Sequence, residues 1–137
     1  MARPYLGGST AGIKAVSADV TLAPADSGKK IVVDASSAGN FTITLPATAS
    51  SKGYEYDIVL GVASNAASEV LVVSDSHIVG GLILNSSGVV TAVTSGSKRG
   101  FGDASDAGSR MHIVCDGSKW IILNANSDVA FVVAFTA

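Results

Sequence analysis

Apolar and polar residues alternate through Phe41, Ile43 and Leu45, halt at Pro46, and resume after Gly53 as Tyr54, Tyr56 and Ile58. A period of two sends successive side chains to opposite faces of an extended chain, so this stretch specifies two half-buried strands around a turn. The same grammar repeats along the sequence. Turn residues recur at intervals of roughly eight to twelve, the spacing of an all-β domain. Strands are expected over residues 19–22, 30–35, 41–45, 54–62, 70–73, 78–84, 89–93, 111–115, 120–123 and 129–135. Asn85-Ser86-Ser87-Gly88 and Asp116-Gly117-Ser118-Lys119 read as hairpin turns, and residues 96–108 as a long polar loop. No segment carries a helical stripe; the alanines within 61–69 favour at most one helical turn, and Gly61 and Asn65 weaken it.

The start of the chain follows different rules. Arg3, Pro4, Tyr5 and Leu6 precede Gly7, Gly8, Ser9, Thr10, Ala11 and Gly12, with neither a helical nor a strand period. Glycine at that density disfavours regular structure. The expected architecture is therefore an N-terminal arm over residues 1–17 and one all-β domain over 18–137. The domain is read as an antiparallel β-sandwich or small barrel of jelly-roll-like form. At 137 residues the chain is long enough for one such core.

Composition excludes several function classes. Charged residues make up only 15% of the chain, against 47% hydrophobic, the opposite of a disordered composition. A net charge of −2 with scattered Lys and Arg provides no basic patch for nucleic acid and no polybasic anchor for a membrane surface. The longest apolar run, residues 129–135, is far shorter than the roughly 20 residues of a spanning helix. The first residues lack the apolar core of a secretory signal, so synthesis in the cytoplasm is expected. Cys115 is the single cysteine, which rules out an internal disulfide. The sequons at Asn40 and Asn85 are then turn or strand residues rather than glycan acceptors.

Catalytic constellations are sparse. His112 and Cys115 are three apart, so on a strand they face opposite ways and cannot chelate one ion; no metal or other cofactor is expected. The nearest approach to a nucleophile elbow, Gly8-Ser9-Thr10-Ala11-Gly12, has Thr at the centre. Asp75 near His77 is explained by solvated turn residues. Gly100-Phe101-Gly102 lacks the third glycine and the βαβ setting of a dinucleotide site. Asp103 and Asp106 lack the spacing and terminal Glu of an EF-hand loop. With only two Glu and one Trp, a glycoside-cleaving cleft is poorly supplied. Trp120, just after a tight turn, is expected to plug one end of the core, with sugar stacking as the alternative. No enzyme is expected.

Hydrophobicity instead exceeds what one core needs. Ile31-Val32-Val33 and residues 130–135 are apolar on both strand faces, whereas an antiparallel sandwich normally leaves one face polar. The second cover is then another subunit or a larger surface. Val129, Phe131, Val133 and Phe135 are the expected oligomer interface. Arg3, Pro4, Tyr5 and Leu6 are the expected contacts with a larger partner.

Two stretches, TLAPADSGKKIVVDASSAGNFTITLPATASSKGYEYDIVL at 21–60 and CDGSKWIIL at 115–123, resemble small β-rich structural proteins of tailed bacteriophages. The shared pattern is a DSGKxIxVD strand, an FTITLP strand, a GYxYxIVL strand and a DGxxW hairpin. It occurs in head decoration (cement) proteins and in some head- or tail-fibre domains. The resemblance implies a virion protein that adds to the outside of an assembled capsid, binds the major capsid protein and braces neighbouring coat subunits. It also implies a homo-oligomer, a trimer in preference to a dimer. In some such proteins an N-terminal arm orders on the shell. The alternative it implies is a fibre or receptor-recognition module that presents residues 96–108 and Trp120 to a cell-surface glycan.

Overall fold

The computed structural model describes residues 12–36, 39–64, 69–80, 82–84, 90–92, 96–101 and 105–126. Arg3, Pro4, Tyr5 and Leu6, and Val129, Phe131, Val133 and Phe135, lie outside the described residues. The strands are β1 (Ile13–Val16), β2 (Val20–Thr21), β3 (Lys30–Asp34), β4 (Phe41–Thr44), β5 (Glu55–Val62), β6 (Val70–Val79), β7 (Leu82–Leu84), β8 (Val90–Ala92), β9 (Gly96–Phe101), β10 (Arg110–Cys115) and β11 (Trp120–Asn126). Single 3-10 turns occupy Pro24–Asp26 and Thr48–Ser50. The protein is all-β. One sheet in the order β1-β3-β5-β10-β11-β6-β4-β2 curls into a nearly closed barrel, with β9 also on β6, β7 on β11 and β8 on β7.

Strand pairing corrects the antiparallel expectation. β1, β3 and β5 form parallel ladders with one another, and so do β2, β4 and β6. Through β6, successive strands therefore alternate between two sides of the barrel, and each of β1 to β4 pairs with the strand two places on. Ile13 sits against Lys30, and Lys30 against Asp57. Turn signals at Pro24, Gly28, Pro46 and Gly53 carry the chain across the barrel rather than back along the same sheet. Parallel neighbours need a long crossover, and here the crossover contains the intervening strand. The antiparallel ladders come mainly from the second half: β5–β10, β10–β11, β6–β9 and β7–β8.

The β10–β11 hairpin forms where its turn chemistry places it. Cys115 pairs with Trp120, and the Asp116 carboxylate accepts the backbone N–H groups of Ser118 and Lys119 at 2.8 and 2.9 Å. Gly117 takes a φ of +100°, a region closed to most side chains.

Two boundaries also move. Residues 13–16, assigned above to the arm, are β1, so the barrel begins at Ile13. Residues 96–101, expected to belong to a polar loop, are β9, paired with β6. Arg99, Gly100 and Phe101 are buried there. Gly100 permits the approach: a Cβ on it would lie 2.2 Å from the Val70 carbonyl oxygen. Ser97 and two charged residues, Lys98 and Arg99, between Gly96 and Gly100 hid this strand from the hydrophobic pattern.

The inward faces meet in one core. Ile31, Val33, Ile43, Ile58, Val72 and Ile113 are each 0% exposed, in line with the alternation of their strands. Trp120, also fully buried, packs against Tyr56 with ring centroids 5.6 Å apart, while the Tyr56 hydroxyl donates to the Ala23 carbonyl at 3.0 Å. Burial first, and the nearby Asp26 charge second, push the Tyr56 phenol up to about 12.

Candidate interaction surface

The two outer faces of the barrel differ in kind. On the β2–β4 side, Thr21, Thr42 and Thr44 line the surface with Asp19, whose carboxylate accepts the Thr42 N–H at 2.8 Å. On the β1–β3–β5 side outward aliphatic residues sit beside charged ones. Ladder register sets Ala15, Val32, Val59, Arg110 and Asn126 in one row across five strands. A second row runs Ile13, Lys30, Asp57, His112 and Asn124.

At the ends of β1, β3 and β5 this face opens into a groove of about 350 Å³, lined by Ala15, Val16, Ser17, Val32, Val33, Asp34, Gly61 and Val62. Val32 packs directly against Gly61 beside this groove: a Cβ on Gly61 would come within 2.5 Å of Val32 Cγ1. Val62 at its lip is 43% exposed, and Ile13, in the neighbouring row, is 71% exposed. These are large aliphatic side chains left in water beside charged neighbours, the mixed composition of a contact surface.

An ion-paired belt borders the apolar row. Asp57, only 8% exposed, accepts from Lys30 Nζ and from Arg110 Nη2 at 2.7 Å. Burial opposes its charge, but the two cations prevail and hold its carboxyl below the usual range. Beyond them, His112 Nε2 lies 3.4 Å from a Glu55 carboxylate oxygen. β1 is pinned separately: Lys14 Nζ reaches the buried Asp26 at 2.6 Å, with Lys29 at 3.0 Å and the Ala23 N–H at 2.9 Å on the same carboxylate. Burial would raise the Asp26 pKa, yet these donors bring it down to about 2.

The residues considered for chemistry are dispersed. His112 faces outward and Cys115 is buried, on opposite sides of β10 as their spacing requires. Burial pushes the Cys115 thiol up, and its Sγ donates to the Thr48 carbonyl at 3.6 Å. Asp75 accepts the Thr48 N–H at 3.3 Å, so it caps a turn, while His77 is exposed. Trp120 is sealed in the core and cannot stack on a sugar. Of the surface residues, only Val32 stood out in the sequence as an apolar residue on the wrong face. Ile13, Ala15, Gly61 and Val62 were passed over, although the alternation of Ile13 and Ala15 signals a strand.

No family model matches the chain, and no curated protein or solved structure matches it.

Proposed function

We propose that this chain is a non-enzymatic structural protein of a tailed bacteriophage that binds the outside of the assembled capsid and bridges coat subunits. One observation carries the reading beyond the motif resemblance: the outer face of β1, β3 and β5 carries an aliphatic strip of Ala15, Val32 and Val59, with Ile13 beside it 71% exposed. In this reading Arg3, Pro4, Tyr5 and Leu6, a few residues before β1 in the sequence, contact the major capsid protein together with that face. The mechanism is mass action. Each bound copy stabilises the shell by its binding free energy, and many copies multiply a modest gain per site.

Co-sedimentation of the purified protein with capsids that lack it tests the proposal. Saturation at hundreds of copies per particle supports decoration, and removing residues 1–12 weakens binding while leaving the fold intact. Saturation at a few copies, or no binding, overturns it in favour of a fibre module. A glycan site in such a module would have to use side chains other than Trp120.

A further inference from the structure

We propose that Asp116 is a conditional modification site, barred from rearranging to isoaspartate while the β10–β11 hairpin is closed and open to that reaction once the hairpin is released. The inference concerns this turn alone and stands whether or not the protein binds capsids.

The sequence supplies the reacting pair. Asp116-Gly117 is the single Asp-Gly in the chain, and there is no Asn-Gly. In such a pair the Gly117 amide nitrogen loses its proton and attacks Asp116 Cγ, with no side chain on Gly117 to obstruct it. The new N–Cγ bond closes a five-membered succinimide as a C–O bond of the carboxyl breaks and water leaves. Water then adds back at either ring carbonyl, giving aspartate or isoaspartate, so no oxidant or co-reactant is consumed. The reaction asks two things of the turn: a carboxyl that can take up a proton before it departs as water, and an amide nitrogen free to swing onto Cγ.

The folded hairpin withholds both. Asp116 Oδ1 accepts three hydrogen bonds, from the Ser118 N–H at 2.8 Å, the Ser118 hydroxyl at 2.9 Å and the Lys119 N–H at 2.9 Å. Lys119 Nζ lies 3.3 Å from Oδ2. The two backbone donors first, and the Ser118 hydroxyl after them, hold this carboxyl well below the usual carboxylate range. The Gly117 N–H is also engaged. It donates to Cys115 Sγ at 3.4 Å, and Cys115 is fixed in the core, 2% exposed. The Lys52 side chain packs beside Gly117, where an added Cβ would lie 3.3 Å from Lys52 Cβ. Bringing the Gly117 nitrogen onto Cγ therefore breaks its bond to Cys115 and disturbs the donors on Oδ1, so reaction in the folded chain waits on local opening. The product cannot return to the same turn. Isoaspartate adds a methylene to the backbone between two strands whose register sets Cys115 against Trp120.

The test incubates the full chain at mildly acidic pH, folded in buffer and unfolded in urea. Isoaspartate is counted by isoaspartyl methyltransferase labelling and assigned to residue 116 by peptide mass spectrometry. The folded chain should isomerise at least tenfold more slowly than the unfolded one, a comparison that needs no variant. Ser118→Ala, at an exposed position, removes one donor from Oδ1. It should melt as the unmodified chain does, isomerise severalfold faster when folded, and match the unmodified chain in urea. After dilution from urea, isoaspartyl chains should be missing from the fraction in which Trp120 regains its buried fluorescence. Equal rates in the folded and unfolded chains overturn the proposal. So does a folded Ser118→Ala chain that isomerises no faster than the unmodified one, or isoaspartate spread evenly between refolded and unrefolded fractions.

Discussion

Gly61 on β5 and Val32 on β3 approach so closely on the outer face that a methyl group on Gly61 would lie 2.5 Å from Val32 Cγ1. Val32 is β-branched and stiff about its first torsion, so it cannot simply swing aside. Gly61→Ala should therefore destabilise the fold by about 1–2 kcal/mol. Val32→Ala in the same chain should recover most of that loss. Chemical denaturation of the two single variants and the double variant measures the coupling, and strict additivity would show that the contact is not the cause.

Gly100 is a harsher case. Its missing Cβ faces the Val70 carbonyl oxygen at 2.2 Å and Leu71 Cα at 3.1 Å, both backbone atoms. Relief requires β9 to move off β6, so Gly100→Ala should cost about 3 kcal/mol. Thermal unfolding reads this directly, and amide exchange should be fastest in β9 and the adjoining half of β6.

Acid should loosen the anchor of β1 on Asp26. The Asp26 pKa is about 2 in the folded protein against an ordinary value of 3.8, so its contribution is complete above pH 4 and lost as the pH falls toward 2. Discounted for screening of the partly exposed Lys14 and Lys29, it is worth on the order of 1 kcal/mol. Asp57 acts in the same direction through Lys30 and Arg110. Asp26→Asn should flatten the stability profile between pH 4 and 2, as measured by urea unfolding across that range.

The alkaline limb runs the other way. Tyr56 titrates at about 12 when folded and near 10 when unfolded, so its contribution is complete below pH 10 and disappears as the pH rises toward 12. Tyr56→Phe should remove that slope. It also deletes the hydrogen bond to the Ala23 carbonyl and should lower stability at neutral pH by about 1 kcal/mol.

Core position and thiol chemistry can be probed together at the β10–β11 hairpin. Trp120→Ala should destabilise by about 3–5 kcal/mol, the range for a buried aromatic. Cys115 is 2% exposed with its thiol pushed up by burial, so alkylation in the folded protein should be limited by unfolding. Trp120→Ala should then speed labelling of Cys115 in step with its loss of stability.

What was legible in the sequence is what depends on neighbours along the chain. Alternation in Phe41-Thr42-Ile43-Thr44 assigned the buried face of that strand correctly, because a strand's period is a local property of the backbone. Asp116-Gly117 specified its hairpin for the same reason. Pairing is different, since a strand buries the same face beside a parallel or an antiparallel neighbour. Only the nearly closed barrel decided that β3 lies between β1 and β5 rather than against β4. The tertiary structure likewise brought Asp57 between Lys30 and Arg110, which are 27 and 53 residues away in sequence, and set Gly61 against Val32. Those relationships follow from register between distant strands, which is fixed when the whole sheet closes around one core.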